Sequence, residues 1–301
     1  MQLALKIDVD TERGTREGVP GLLDLLGKYN ISATFLFSLG PDNTGRAIRR
    51  IFRPGFLKKV SRTSIVEIYG WRTLLNGLLW PGPHIGERHA DVMRLARAKG
   101  HEVGIHCYDH IRWQDGLRTM TMRQVRNELN KARDVFKNVF GQEARTAGAA
   151  GWQANAYSLQ AYDEAGFVYG SDVRGQEPFF PKTSDNVYRT LQIPTTLPTL
   201  DELLGRPEYP LGGLVDHYMS LLQPHKLNVL TIHTELEGMR YKDWFEGVLK
   251  ACRERDVQFV LLIDVAHKLL KNQGMIPVCE LVQAEIDGRS GMLAVQQLPG
   301  A

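Results

Sequence analysis

Apolar residues fall into short runs separated by amphipathic stretches of helical length. Leu3 to Val9 reads as a strand, Val19 to Leu26 as a helix and Ala33 to Leu39 as a second strand, because compact runs rich in branched and aromatic residues suit strands while 3.6-residue periodicity suits helices. A strand, helix, strand order implies parallel pairing, since the crossover returns the chain to the same end of the sheet. The alternation continues with His101 to Ile105, a helix from Thr121, and runs at Phe167 to Ser171, Leu191 to Ile193, Val229 to His233 and Val257 to Ile263. About seven or eight β/α units result, so the predicted fold is α/β, a distorted (β/α) barrel with seven or eight strands and its chemistry at the C-terminal strand ends.

The helix from Thr121 to Phe140 carries the clearest pattern. Val125, Leu129, Ala132, Phe136 and Val139 share one face, Thr121 and Gln124 are placed for a capping box, and Gly141 is placed to end the helix. This helix is expected to be outer packing without a catalytic role. The barrel is expected to span residues 1–275. Residues 41–90 would form an insertion of about fifty residues, far longer than a usual connection. Its first part holds Arg46, Arg49, Arg50, Arg53, Lys58, Lys59 and Arg62 interleaved with Ile48, Ile51, Phe52, Phe56 and Leu57. Its second part adds Tyr69, Trp71, Leu74, Leu75, Leu78, Leu79 and Trp80, interrupted by Glu67, Arg72 and Gly77. Such a basic, aromatic stretch suits the surface of a bilayer rather than its interior; the competing reading packs the apolar residues on the barrel beneath a solvated basic face. The tail, residues 276–301, has weak periodicity and is expected to be poorly ordered.

Composition narrows the setting. At 301 residues and 43% apolar the chain has ample material for a buried core. A formal charge of +3 is too mild to argue for nucleic acid as a partner. Cys107, Cys252 and Cys279 are an odd, widely spaced set that points to no disulfide framework and to a reducing compartment. The N-terminus enters Leu3-Ala4-Leu5-Lys6-Ile7 at once, without the features of a signal peptide, so cytoplasmic residence is expected. No apolar stretch is long enough to span a membrane.

Two carboxylates, Asp8 and Asp10, stand one residue apart at the end of the first run, and His106 and His110 follow in His106-Cys107-Tyr108-Asp109-His110. Side chains two apart on a strand point to the same side, so one aspartate can bind a cation while the other handles protons. Two imidazoles and a carboxylate with open positions describe a catalytic divalent-metal site, for which zinc, cobalt, manganese and nickel are all acceptable. His233 ends another strand-like run, Leu230-Thr231-Ile232-His233. Alone, each motif has a bland alternative: a turn-forming aspartate pair, a surface histidine pair, a satisfied core histidine. Their joint presence favours the site.

In these motifs and their order the chain resembles the polysaccharide deacetylase superfamily. By position, the resemblance implies Asp8 as general base, Asp10, His106 and His110 as metal ligands, and His233 as general acid. The family's third motif usually supplies an arginine that orients the base, whereas Ala147-Gly148-Ala149-Ala150-Gly151-Trp152 has none. Arg174 is a candidate for contacting the base or an anionic substrate, and Asp172 for orienting His233. The insertion, Phe37-Ser38-Leu39-Gly40-Pro41-Asp42-Asn43, the run around Trp152 and His233-Thr234-Glu235-Leu236-Glu237-Gly238 are similar to one branch of that family. Its members remove a formyl group from 4-deoxy-4-formamido-L-arabinose phosphoundecaprenol, in lipid A modification and polymyxin resistance, and the similarity adds Trp152 and Glu235 to the candidate substrate-binding or orienting residues. The resemblance therefore implies a metal-dependent hydrolase of a linear amide. The expected cofactor is one divalent ion, zinc first. The expected partners are a polyprenyl-phosphate-linked amino sugar and the anionic inner-membrane surface, to which the protein would bind peripherally. The alternatives are a deacetylase of another amino sugar, or a catalytically dead, membrane-associated metal-binding scaffold.

Overall fold

A computed structural model describes residues 1–47, 65–184 and 186–298. Eight strands form one parallel sheet. β1 (Gln2–Val9) is flanked on one side by β2 (Thr34–Ser38) and then β3 (Glu102–Cys107), β4 (Thr146–Ala147), β5 (Tyr169–Gly170) and, past the separate strand β6 (Phe180–Lys182), β7 (Leu191–Gln192). On its other side β1 pairs along its length with β8 (Leu227–His233), and its first residues also pair with β9 (Gln258–Phe259). β7 and β8 are not laddered together. The segment after β7 closes the gap instead: the amides of Thr196 and Leu197 both donate to the Val229 carbonyl. The result is a barrel with one irregular wall, as the alternating pattern predicts.

β1 explains how the sequence separates two cores. It is buried from Leu3 to Val9, as a strand covered on both faces must be. Its odd positions, Leu3, Leu5, Ile7 and Val9, join the large outer core with Val19, Leu22 and Leu26 of the helix Val19–Tyr29. Its even position Ala4 joins Tyr169, Leu191, Ile193, Val229 and Leu262 in a second cluster that plugs the barrel floor. Above that apolar floor, the even positions become Lys6 and Asp8, and their register partners on β8 become Thr231 and His233. Period-two alternation thus sends Lys6 and Asp8 into the barrel lumen, toward the end where the strands finish.

The helix Met122–Phe140 forms as its pattern requires. Thr121 and Gln124 complete a reciprocal capping box, and Gly141 ends the helix at φ 68°, a conformation that glycine adopts without steric cost. Val125, Leu129, Ala132, Phe136 and Val139 are buried, each such side chain contributing about 1.5–3 kcal/mol of transfer free energy. Some runs are shorter in space than in sequence. The Val257 to Ile263 run gives only two paired residues before the helix Leu262–Leu270 begins, and β4 has too few residues to produce a pattern.

The C-terminal segment departs from expectation. β10 (Val278–Glu285) and β11 (Met292–Gln297) form an antiparallel hairpin, and β10 continues in parallel onto β6. Five of the eight residues of β10, Glu280 to Ala284, are only half covered, so neither a helical nor an alternating apolar pattern marks them. Their order comes from backbone pairing. The turn of this hairpin brings Arg289 onto the face of Trp152, 4.5 Å from the ring centre. In the insertion, Arg49, Arg50, Arg53, Lys58, Lys59, Arg62, Ile48, Ile51, Phe52, Phe56 and Leu57 lie outside the described residues. Its second part includes the helix Ile65–Thr73, broken at Gly70.

Candidate active site

Asp8 and Asp10 come from the end of β1 and the residue that follows it. β1 is succeeded by a π-helical turn, Gly14–Gly18, and β8 by another, Leu236–Arg240. The two turns pack so closely that a Cβ on Gly238 would lie 2.6 Å from the Gly18 carbonyl oxygen. The loop bearing Asp10 is further pinned by Glu235, which accepts hydrogen bonds from the Thr11 amide (2.9 Å) and hydroxyl (2.6 Å). His106 sits on β3, and His110 is the first residue of the helix His110–Gly116, which Asp109 caps by accepting from the Arg112 amide. Asn43 holds that same cap with a 2.7 Å hydrogen bond to Asp109. The histidine pair is therefore set by a strand end and a capped helix start rather than by one helical face.

The imidazoles converge on Asp10. His106 Nε2 lies 3.2 Å from Asp10 Oδ1 and His110 Nε2 3.5 Å from Asp10 Oδ2. All three ligand atoms fall within 4.8 Å of one another. Ligand atoms about 2.1 Å from a tetrahedral ion stand about 3.4 Å apart, so this spacing fits a divalent cation. The donor chemistry fits as well. His106 Nδ1 donates to the Gly148 carbonyl at 2.6 Å, which fixes the tautomer and turns the Nε2 lone pair toward Asp10. Asp10 Oδ1 is buried and has no hydrogen-bond partner among the described residues.

Electrostatics agree with a site built for positive charge. Burial pushes the Asp10 carboxyl up, but the neighbouring His110 and His106 imidazoles override it and hold it well below the usual carboxylate range. Burial pulls His106 down, and the Asp8 and Asp10 carboxylates more than offset that, leaving it above the ordinary histidine value. Asp8 lies beside this cluster, its Oδ1 3.8 Å from His106 Nδ1 and without a hydrogen bond. Across the β1–β8 ladder it is in register with His233. The His233 ring meets Trp152 edge-on at 6.4 Å between centres, and its Nδ1 has no hydrogen-bond partner among the described residues.

Asp8, Asp10, His106, His110 and His233 thus come together, and the remaining candidates hold other posts. Asp172 is buried and accepts from the Ala149 amide, Tyr162 and Gln192; burial raises its carboxyl to about 6. His233 is not among the hydrogen-bond partners described for it, so its post is to brace the loop that contains Trp152. Arg174 contacts neither Asp8 nor open space. It pairs with Glu202 at 2.5 Å, donates to the Leu197 carbonyl and lies over the Trp152 ring. Trp152 is itself 2% exposed, holds a left-handed φ of 51°, unusual for a bulky residue, and donates to Thr195. Glu235 belongs to the clamp on Thr11, and burial followed by the Asp10 charge pushes its carboxyl to about 8.

The pattern in the chain, matched as a whole, decides the family. Residues 4–170 match the model described as "Polysaccharide deacetylase". The chain belongs to the polysaccharide deacetylase family. A relative from Shewanella sediminis named "Probable 4-deoxy-4-formamido-L-arabinose-phosphoundecaprenol deformylase ArnD" is 39% identical over 98% of this chain and 94% of its own. A relative of the same name from Wigglesworthia glossinidia brevipalpis is 35% identical over 94% of this chain and 98% of its own. Among solved structures, a "probable Polysaccharide deacetylase" from Pseudomonas aeruginosa superposes with a TM-score of 0.60 at 18% identity, covering 90% of this chain and 91% of that one; at that identity it shows the fold alone. Polysaccharide deacetylases act on amides, and this member is accordingly a carbon–nitrogen hydrolase of the deformylase kind.

Several residues of the site had no signal in a motif. Lys6, Gly148, Glu202 and Arg289 surround Asp8, His106 and Trp152, yet each lies outside the motifs except Gly148, whose part is played by its carbonyl. Glu237 is another. It accepts from the His233 amide at 2.9 Å, and burial raises its carboxyl from 4.5 to about 8. Between those values the folded protein keeps a proton that the unfolded chain releases, so stability is greatest below the window and falls as pH rises through it. Glu237→Gln keeps the acceptor and removes the ionisation. The expected result is a shallower fall of Tm between pH 5 and pH 9; parallel Tm curves for the two proteins would contradict it.

Proposed function

We propose that this polysaccharide deacetylase family member hydrolyses the formamide of 4-deoxy-4-formamido-L-arabinose phosphoundecaprenol. The observation that carries the reading is the convergence of Asp10, His106 and His110 on one point with Asp8 and His233 flanking it, in a chain alike over nearly its whole length to relatives bearing the deformylase name. Asp10, His106 and His110 would hold a divalent ion such as zinc. When bound, that ion supplies polarisation of the formyl carbonyl and a lower pKa for water. Asp8, with Oδ1 open, takes a proton from the attacking water. The water oxygen adds to the formyl carbon, the carbon–nitrogen bond breaks, and His233 gives a proton to the departing nitrogen. Formate and a free amino sugar leave the site. A cationic amine then stands where a neutral amide stood, which suits a role in lipid A modification and polymyxin resistance.

The lipid-linked part of the substrate would lie over the surface cleft that follows the Asp10 loop. A cleft of about 930 Å³ opens next to Glu12 and is lined by Arg13, Arg16, Arg72, Arg88, Trp71 and Trp80. Trp71 is 62% and Leu79 70% exposed, and no described helix is long and apolar enough to cross a membrane. Guanidinium groups suit a phosphate. Exposed tryptophan and leucine at the rim suit the headgroup level of a bilayer. The protein would therefore work peripherally on the anionic face of the inner membrane.

One preparation tests the reading at two levels. The metal-loaded protein is mixed with anionic vesicles containing the formamido-arabinose lipid. Mass spectrometry is expected to find the lipid without its formyl group and formate in solution; an unchanged lipid would refute the reaction. Flotation of the same vesicles is expected to carry the protein at low salt and release it at high salt, as ionic screening predicts. Salt-indifferent flotation would refute the electrostatic docking and leave the reaction untouched.

A further inference from the structure

Lys6 is 0% exposed, in a strand whose other positions from Leu3 to Val9 are apolar except Asp8. Lysine is almost never fully buried unless it is paired. Its ammonium lies 2.9 Å from Asp8 Oδ2, and 5.3 Å from the centre of the Trp152 ring. Two residues apart on one strand, Lys6 and Asp8 share the lumen face, and Lys6 is in register with Thr231 while Asp8 is in register with His233. The ammonium also stands near enough to Asp172 to act on its charge. Replacing a buried ion pair by apolar residues is often neutral or stabilising, so stability alone is a weak reason for a cation here.

We propose that Lys6 is the positioning residue of the base: it grips Asp8 Oδ2 from beneath and so aims Oδ1 at the reacting water. The two oxygens of Asp8 are unequal in just this way, one ion-paired and one buried with no hydrogen-bond partner among the described residues. The neighbouring loop leaves room for the device. The segment from Ala147 to Trp152 contains no cation, and a Cβ on Gly148 would come within 2.9 Å of Lys6 Cε. The space above Gly148 is thus filled by the Leu36 side chain and the lysine stem, while the Gly148 carbonyl holds His106. Strand β1 delivers from below the charge that the Gly148 segment does not deliver from the side. Trp152, with Arg174 and Arg289 stacked over the same ring at 5.3 and 4.5 Å, forms the wall against which the ammonium is held.

The inference rests on Asp8 acting as base, and the test separates the two. Lys6→Gln retains a hydrogen-bond donor for Asp8 and so keeps the interior paired, whereas Lys6→Met removes both donor and charge. For each variant, kcat, KM and bound metal are measured beside Lys6→Arg, Asp8→Asn and the double variant Lys6→Gln/Asp8→Asn. A misplacement of the base predicts a loss of about 100-fold in kcat for Lys6→Gln, with KM and metal content unchanged. Lys6→Arg is expected to recover most of it. The double variant is expected to be no slower than Asp8→Asn alone, because a residue that acts through another adds nothing once that one is gone. Full kcat in Lys6→Gln, loss of metal in step with activity, or a double variant well below Asp8→Asn would overturn the role of Lys6. Unimpaired turnover in Asp8→Asn would instead overturn the base itself.

Discussion

Asp8→Asn is expected to lower kcat by about 10²–10⁴-fold, the usual contribution of a positioned general base, while the protein keeps its metal. The reason is in the asymmetry of the carboxylate. Oδ2 is engaged by Lys6, and Oδ1, buried and free of hydrogen bonds, is the atom that can receive a proton. Asparagine has the same shape but no basic oxygen of that kind. Asp10, His106 and His110 are untouched by the change, and Asp8 is not one of that group of three. The variant leaves the Lys6 ammonium without its anion in the barrel interior, so it is expected to melt earlier; breaking a buried pair costs about 3–5 kcal/mol. Activity is therefore to be measured well below its Tm, with metal content determined on the same sample. If the variant loses metal and regains turnover when metal is resupplied, Asp8 is a ligand and the division of labour between the two aspartates is wrong.

Much of this was legible in the chain because the physics is local. Period-two alternation at Leu3 to Val9 places Asp8 and Asp10 on one side, and the capped, periodic helix from Thr121 could hardly be anything else. The order of the acid pair, the histidine pair and His233 then brings the five residues to neighbouring strand ends. What was hidden lacks periodicity or acts through the backbone. β4 and β9 are too short to leave a pattern. β10 and β11 are ordered by pairing with each other and with β6, although their half-covered side chains mark no face. Arg174 and Asp172 looked available to the site from their position, yet buried partners distant in sequence claim them: Glu202 and Leu197 for the arginine, Ala149, Tyr162 and Gln192 for the aspartate. Only the tertiary fold reveals that competition. Lys6 had a readable signal, a lone cation inside an apolar strand two residues before Asp8, but its meaning depends on knowing that the strand is buried on both faces.

His106→Ala is expected to separate from Asp8→Asn by its metal content. His106 offers Nε2 to the cation position and spends Nδ1 on the Gly148 carbonyl, so alanine removes a ligand and the contact that orients it. Loss of even an outer partner of a metal ligand usually weakens binding about 10–100-fold, and loss of the ligand itself should weaken it at least as much. The purified variant is expected to hold little metal and to show kcat that rises with added metal, because on the proposed reading Asp10 and His110 would still offer two ligands and Asp8 and His233 would still handle the protons. Elemental analysis after dialysis reads the first effect and a metal titration of turnover reads the second. A His106→Ala protein that keeps a full complement of metal through dialysis would place the ion elsewhere, and Asp10 and His110 would then need a different partner.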